Sequence, residues 1–297
     1  MDLTAGPIAF FWQAETVREF YRALAGTPVA RVVIGEWVCS KRLPFWQGEI
    51  PAAVETLREA GKEVALSTLA LITLRRERRL TADLLDMGLP VEVADLTALH
   101  DIPEGVPFWV GPVVNVYNEG TLAWLAGRGA RRVCLPPELP LPSIAALARA
   151  GRDLGVAVEV WGHGRVPLAI SGRCYHARLH DRAKDNCQFV CGEDPDGRAV
   201  DTLDGQGFLT VNGVQTMGRT ITTAATQIDA LREAGVASLR LSPHVGDFAG
   251  VVNAWDGALR ADGGPGLMGE LQRLMPDACF SDGFVAGRAG ASLGEPA

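Results

Sequence analysis

The sequence predicts an α/β protein built as one TIM-barrel-like (β/α)8 domain, and three observations point there. Short β-branched and apolar runs alternate with longer amphipathic segments from end to end of the 297-residue chain, the pattern of repeated βα units. Several amphipathic segments stop at a glycine soon followed by the next apolar run, as in Ala60-Gly61, Met87-Gly88, Leu154-Gly155 and Ala234-Gly235. That is the signature of left-handed helix caps. Residues 8–16, IAFFWQAET, contain no glycine, whereas a doubly wound open sheet wants a glycine-rich phosphate turn after its first strand. About eight βα units in a chain of this length favour the closed barrel.

Taken in order, the apolar run 8–12 reads as the first strand and 15–25 as the first helix. Strand 31–36 is followed by helix 51–60, strand 63–70 by helix 81–87, and then comes strand 90–95. Strand 108–115 precedes helix 119–127, and strand 131–135 precedes helix 144–154. The series closes with strands at 157–161, 208–211 and 238–241 and helices at 222–234 and 247–260. Between 131–135 and 144–154 the proline-rich stretch 136–142, PPELPLP, reads as a rigid βα connection. One segment breaks the rhythm: from about 171 to 206 the chain is rich in Asp, Arg, Gly and Cys with little apolar periodicity. The expected organisation is a single domain over 1–297, with this insertion near the C-terminal face of the barrel. Long insertions in compact domains are usually functional or disordered, and its three cysteines favour function.

Composition narrows the function classes. Hydrophobic residues make up 47% of the chain, enough for a substantial core. The net charge of −7 argues against sequence-independent nucleic-acid binding, which needs a basic face to neutralise phosphates. No apolar run reaches the ~18–20 residues that span a bilayer, and the amino terminus, MDLTAGPIAFFW, lacks the basic start of a secretory signal. A cytoplasmic protein is therefore expected. Thiols stay reduced there, so the six cysteines point to metal binding, redox chemistry or burial rather than to disulfides.

Cys187 and Cys191 form a C-x3-C pair, and Cys174 lies thirteen positions before Cys187. Cys39 follows the strand at 31–36, and Cys174 follows the strand at 157–161. Both thus lie beyond the carboxyl ends of parallel strands, on the rim where barrel active sites are built. Four thiolates suit either Zn²⁺ or an iron–sulfur cluster. One close pair with two dispersed ligands favours the cluster, because structural zinc usually uses two close pairs. Cys134, in RRVCL, and Cys279, in ACF, read as core residues.

The blocks GEWVCSKR (35–42), LSTLAL (66–71), SGRCYHARLHDRAKDNCQFVC (171–191) and LTVNGVQTM (209–217) resemble the collagenase-like peptidase family. The resemblance implies a TIM-barrel-like fold and a [4Fe–4S] cluster on Cys39, Cys174, Cys187 and Cys191. It also implies a role in oxygen-independent hydroxylation of ubiquinone precursors, as a heterodimer with a UbiU-like sister subunit and with a UbiT-like lipid carrier. The substrate implied is a prenylated aromatic quinone precursor. Peptidase activity is not expected, since the sequence has neither a G-x-S-x-G elbow nor an HExxH helix.

Other residues have plainer roles beside the functional ones. Glu36, Lys41 and Glu138 would face the barrel mouth or serve as solvated loop and ion-pair residues. His163, in WGHGRV, would donate a proton or be a hydrogen-bonded structural histidine. Arg173 and Arg182 would offset thiolate charge or simply aid solubility. The run RRERR at 75–79 reads as a solvated helix face, and Trp37, Trp46 and Trp109 as core or interface. Two alternatives to hydroxylation stay open: modification of RNA bases, and a non-catalytic subunit whose cluster stabilises a docking surface.

Overall fold

The computed structural model describes residues 1–261 and 266–294. Eight parallel strands close into a barrel: β1 (Asp2–Ala5), β2 (Arg31–Ile34), β3 (Glu63–Ser67), β4 (Val91–Val93), β5 (Phe108–Val110), β6 (Ala130–Cys134), β7 (Ala157–Gly164) and, after an excursion, β13 (Ser238–Leu241). Closure is made by β13, which pairs with β1 on one side (Asp2 beside Ser238) and β7 on the other (Ser238 beside Glu159).

The helices of the outer ring bury one stripe each. In α1 (Ala14–Ala25) the inward residues are Val17, Tyr21 and Leu24, and in α2 (Ile50–Glu59) they are Ile50, Ala53 and Leu57, the three- and four-residue spacing of an amphipathic helix. The ring continues with α3 (Arg75–Leu85), α4 (Glu119–Gly127) and α5 (Leu141–Leu154), and ends with α7 (Ile228–Glu233), α8 (Phe248–Arg260) and α9 (Leu267–Leu274). After β4 a short 3-10 turn, Leu96–His100, replaces the helix. All four glycines expected as caps have left-handed backbone, Gly61, Gly88, Gly155 and Gly235. Among the described residues no helix is long and apolar enough to cross a membrane.

The excursion carries a second sheet. Strands β8 (Pro167–Ile170), β9 (Arg198–Asp201), β10 (Gly207–Asn212) and β11 (Gln215–Gly218) pair antiparallel in the order β8-β11-β10-β9, with the one-turn helix α6 (Tyr175–Arg178) between β8 and β9. The chain then returns through β12 (Ile221–Thr223), antiparallel to β7, and β14 (Phe280–Ser281) pairs with β12.

Several expectations need correction. Residues 8–12 are not a strand: the first strand is β1, and 8–12 form a loop beyond its carboxyl end in which all five residues are buried. A short apolar run signals burial without telling strand from buried loop. The strand expected at 208–211 exists as β10, but in the second sheet, not the barrel. The helix expected over 222–234 begins as the β-branched strand β12, passes through a 3-10 turn at Ala225–Gln227 and becomes α-helical at Ile228. The insertion is wider than 171–206, because its sheet begins with β8 and ends with β11.

The barrel lumen is filled by charge. Arg240 on β13 donates through Nε to Glu159 on β7 at 2.5 Å, and through Nη1 and Nη2 to Glu92 on β4 at 3.1 and 2.5 Å. Strands β13 and β4 are not neighbours, so this contact crosses the lumen. Ser238 Oγ donates to the second oxygen of Glu159 at 2.9 Å. Burial pushes the Glu159 carboxyl up, but attraction to Arg240 and Arg132, together with hydrogen bonds from Thr4 and Ser238, outweighs it and holds that carboxyl below its ordinary range.

Candidate metal centre

Three separate stretches bring four cysteines to one small cavity lined by Cys39, Cys174, Cys187 and Cys191 together with Lys41, Arg42, His176, Lys184, Phe189 and Gly213. Cys39 hangs on the loop after β2. Glu36 shapes that loop: its Oε1 accepts from the backbone N–H groups of Val38 and Cys39, each at 3.0 Å. Burial pushes the Glu36 carboxyl up, with Arg42 and these N–H groups pulling it back. Ser40 Oγ donates to Glu77 at 2.7 Å, and Glu77 also accepts from the N–H groups of Thr73 and Leu74. A carboxylate of α3 thereby pins the cysteine loop to the next βα unit.

Cys174 caps α6, its Sγ accepting from Ala177 N–H at 3.4 Å. Between Cys187 and Cys191 the chain makes a tight left-handed turn, Gln188 at φ 49° and Phe189 at φ 54°. Such angles are costly for residues with a Cβ; here they belong to the turn that separates the two thiols. Phe189, which lines the cavity, packs edge-on against Phe45 at 4.5 Å, and Phe11 packs on both rings. A wider groove of about 620 Å³ shares Lys41, Cys187 and Phe189 with the cavity and carries it toward the surface.

The centre is organised by Arg42, a residue that sequence reasoning did not single out. It is 1% exposed. Its Nη1 donates to Ala9 O and its Nη2 to Asn212 Oδ1, both at 2.9 Å, while its Nε has no partner. Asn212 in turn donates to Ala9 O at 2.8 Å, so the buried 8–12 loop, the Cys39 loop and the β10–β11 hairpin meet at one guanidinium. Gly213 makes room: at φ +62°, a Cβ there would sit 2.5 Å from Arg42 Nη2. Burial would lower the Arg42 pKa, but attraction to Cys191, Glu36 and Cys39 raises it. Burial pushes up the thiols of Cys39, Cys174 and Cys191, and Arg42 pulls each back.

These residues fit an anionic, thiolate-held group. A buried cation with an orphaned Nε faces four thiols, and thiols must be thiolates to bind metal. Among the described residues no three cysteine sulfurs lie within 4.8 Å of one another. A single tetrahedral Zn²⁺ needs sulfurs about 3.8 Å apart, whereas a cluster holds its cysteines on separate irons.

Of the other sequence candidates only Lys41 lines this cavity. Lys41 Nζ donates to Lys184 O at 2.7 Å and lies at the rim. Arg182 donates to Cys187 O at 3.4 Å, and Arg173 is exposed. Glu138 accepts from Tyr117 OH on the exposed surface, away from the cysteines. His163 is fully buried against His244, Trp255 and Phe280, with neither ring nitrogen bonded, so it is not the hydrogen-bonded histidine expected. Trp37, Trp46 and Trp109 are buried, as is Cys134. Cys279 is exposed, a correction: it precedes the two-residue strand β14 and lies outside the core. In RRERR the four arginines are exposed, but Glu77 among them is buried and holds the Cys39 loop.

The profile of Peptidase family U32 matches residues 12–293. The chain belongs to peptidase family U32. Among solved structures it is similar to thiamine phosphate pyrophosphorylase from Pyrococcus furiosus, at 11% identity over 93% of this chain and 96% of that one, TM-score 0.42. An uncharacterized B. cereus protein matches at 11% identity over 85% of this chain and 63% of that one, TM-score 0.46. A putative fructose-1,6-biphosphate aldolase from Coccidioides immitis matches at 13% over 92% and 85%, TM-score 0.43. Likenesses this distant carry no argument about what the U32 chain does.

Proposed function

We propose that this U32 protein is an iron–sulfur protein of the UbiV type, required for oxygen-independent hydroxylation of prenylated ubiquinone precursors together with a UbiU-like sister subunit and a UbiT-like lipid carrier. The observation that carries the reading is the meeting of Cys39, Cys174, Cys187 and Cys191 around one cavity beside the buried, incompletely partnered Arg42. The motif resemblance and the family membership support it. A [4Fe–4S] cluster held by the four thiolates would supply one-electron transfer or structural organisation. The chain's own residues have defined work in this reading. Arg42 offsets thiolate charge, Glu36 and Glu77 fix the loop that presents Cys39, and the Phe189 ring covers one side.

A second reading, a non-catalytic docking subunit, is favoured by the covered mouth, where Trp12 Nε1 donates to Pro195 O at 2.7 Å and ties the mouth loop to the excursion. Under this reading the cavity organises the excursion's outer face for the catalytic partner.

Deleting the gene tests the function. Ubiquinone should fail to form without oxygen and form normally in air, with a precursor lacking ring hydroxyls accumulating anaerobically. Normal anaerobic ubiquinone in a strain without a redundant copy would overturn the proposal, and altered RNA-base modification in that strain would favour the RNA alternative. The catalytic and docking readings separate when UbiU-like subunit and this chain are assayed apart and together.

A further inference from the structure

A second set of metal-ligating side chains lies beside the cysteine cavity, with a geometry of its own. His176 and His180 are four residues apart on α6 and the turn that follows it, and their rings stack nearly parallel, 6° between planes and 5.8 Å between centroids. Asp194 reaches them from the turn after Cys191, its Oδ2 lying 2.9 Å from His176 Nε2. Its other oxygen, Oδ1, faces Arg198 Nη1 at 3.7 Å. One donor atom from each of the three residues lies within 4.8 Å of the other two, and among the described residues no other three His, Cys, Asp or Glu side chains converge so tightly.

Hydrogen bonding leaves this cluster unfinished. His180 Nε2 is buried and unpartnered, and the completely buried His176 is held only through Nε2, by Asp194. Buried polar atoms without partners are costly and rare. Imidazole nitrogens and a carboxylate oxygen bind a divalent transition ion at about 2.0–2.2 Å, which sets neighbouring donors about 3.0–3.5 Å apart. The 2.9 Å separation of His176 Nε2 from Asp194 Oδ2 is already close to that value.

We propose that His176, His180 and Asp194 form a second metal site, which takes a divalent transition ion of the Zn²⁺ or Fe²⁺ class. Two imidazoles and one carboxylate suit such ions and leave coordination positions for water. The site ties α6 to the turn ending at Asp194. Those two segments carry Cys174 and Cys191, so the ion ties together two of the three cysteines that the excursion brings to the cavity. The proposal rests on this geometry and not on the iron–sulfur reading.

Co²⁺ is the probe, because thiolate ligation gives it an intense near-ultraviolet charge-transfer band that nitrogen and oxygen ligation lacks. Protein purified without air, with its iron and sulfide measured first, is titrated with Co²⁺. The expected result is one Co²⁺ per chain with visible bands and no thiolate charge transfer. His180→Gln should weaken that binding more than about tenfold with iron and sulfide unchanged, and Asp194→Asn should do the same. His180→Gln keeps the test sharp, since His180 Nε2 makes no hydrogen bond whose loss would unfold the chain. Equal Co²⁺ binding by wild type and His180→Gln, or thiolate bands alone, would overturn the site. Loss of iron with Co²⁺ binding intact would count against the cluster and leave this site standing.

Discussion

Arg240 and Arg42 are both buried guanidiniums, each 1% exposed, yet they are neutralised in different ways. In the lumen, Arg240 gives Nε, Nη1 and Nη2 to carboxylate oxygens of Glu159 and Glu92. At the cysteine cavity, Arg42 on the loop after β2 donates only to the neutral oxygens of Ala9 and Asn212, and its Nε has no partner. The carboxylate that attracts it, Glu36, is occupied by the N–H groups of Val38 and Cys39. A buried charge is tolerated only when it is paired and hydrogen-bonded. The lumen meets that condition with the chain's own side chains, whereas the cysteine cavity meets it fully only when its thiols are thiolates. Incomplete neutralisation, more than burial, separates a site from a structural ion cluster.

The largest effect should come from breaking the lumen. Arg240→Met leaves Glu92 and Glu159 facing each other without a cation, and urea unfolding should show a loss of about 3–5 kcal/mol. The loss should be the same in iron-loaded and iron-free protein, and a loss that appears only with iron would contradict the structural role. Arg42→Met should reverse the order of effects. Iron retained per chain should fall several-fold, while the iron-free protein loses only about 1–3 kcal/mol from two broken hydrogen bonds. Gly213→Ala should mimic it, because the added Cβ drives Arg42 from its place; full iron retention in both variants would show that Arg42 does not serve the site.

A smaller effect is set by pH. Burial, reinforced by His244, holds His163 well below its ordinary value of 6.5. Above that value the residue is neutral in folded and unfolded chains and contributes no pH dependence. Below it the unfolded chain takes up a proton that the folded chain refuses, so stability falls with falling pH, by at most about 1.4 kcal/mol per unit for one histidine. His163→Leu should flatten the decline between pH 6.5 and about 5 in urea midpoints, and an unchanged slope would contradict the assignment. The smallest contrast is between the two cysteines outside the cavity. Cys134→Ala should cost about 1 kcal/mol in the core, and Cys279→Ala less than about 0.5, with iron content unchanged in both.

Much of the barrel was legible because its strands are buried, β-branched runs punctuated by capping glycines; residues 119–127 and 238–241 fall on α4 and β13 to the residue. What escaped was set by tertiary contacts. The 8–12 run is apolar because the excursion covers it, not because it is a strand. Thr222 and Thr223 are β-branched for pairing with β7, a preference that the surrounding helical pattern concealed. At the site the cysteine spacing was visible, but Arg42 was not, since an arginine in SKR resembles any surface cation until Ala9 and Asn212 close over it. Glu77 was hidden in the same way among four exposed arginines. His176 carried a readable signal, its spacing of four from His180.

The central claim is that the four cysteines hold an iron–sulfur cluster, and metal analysis of protein purified without air tests it most directly. Iron and acid-labile sulfide should each approach about four per chain, and Cys39→Ala, Cys174→Ala, Cys187→Ala or Cys191→Ala should each remove most of both, while Cys134→Ala keeps them. One zinc per chain with no sulfide, or full iron and sulfide in the Cys39→Ala protein, would contradict the account.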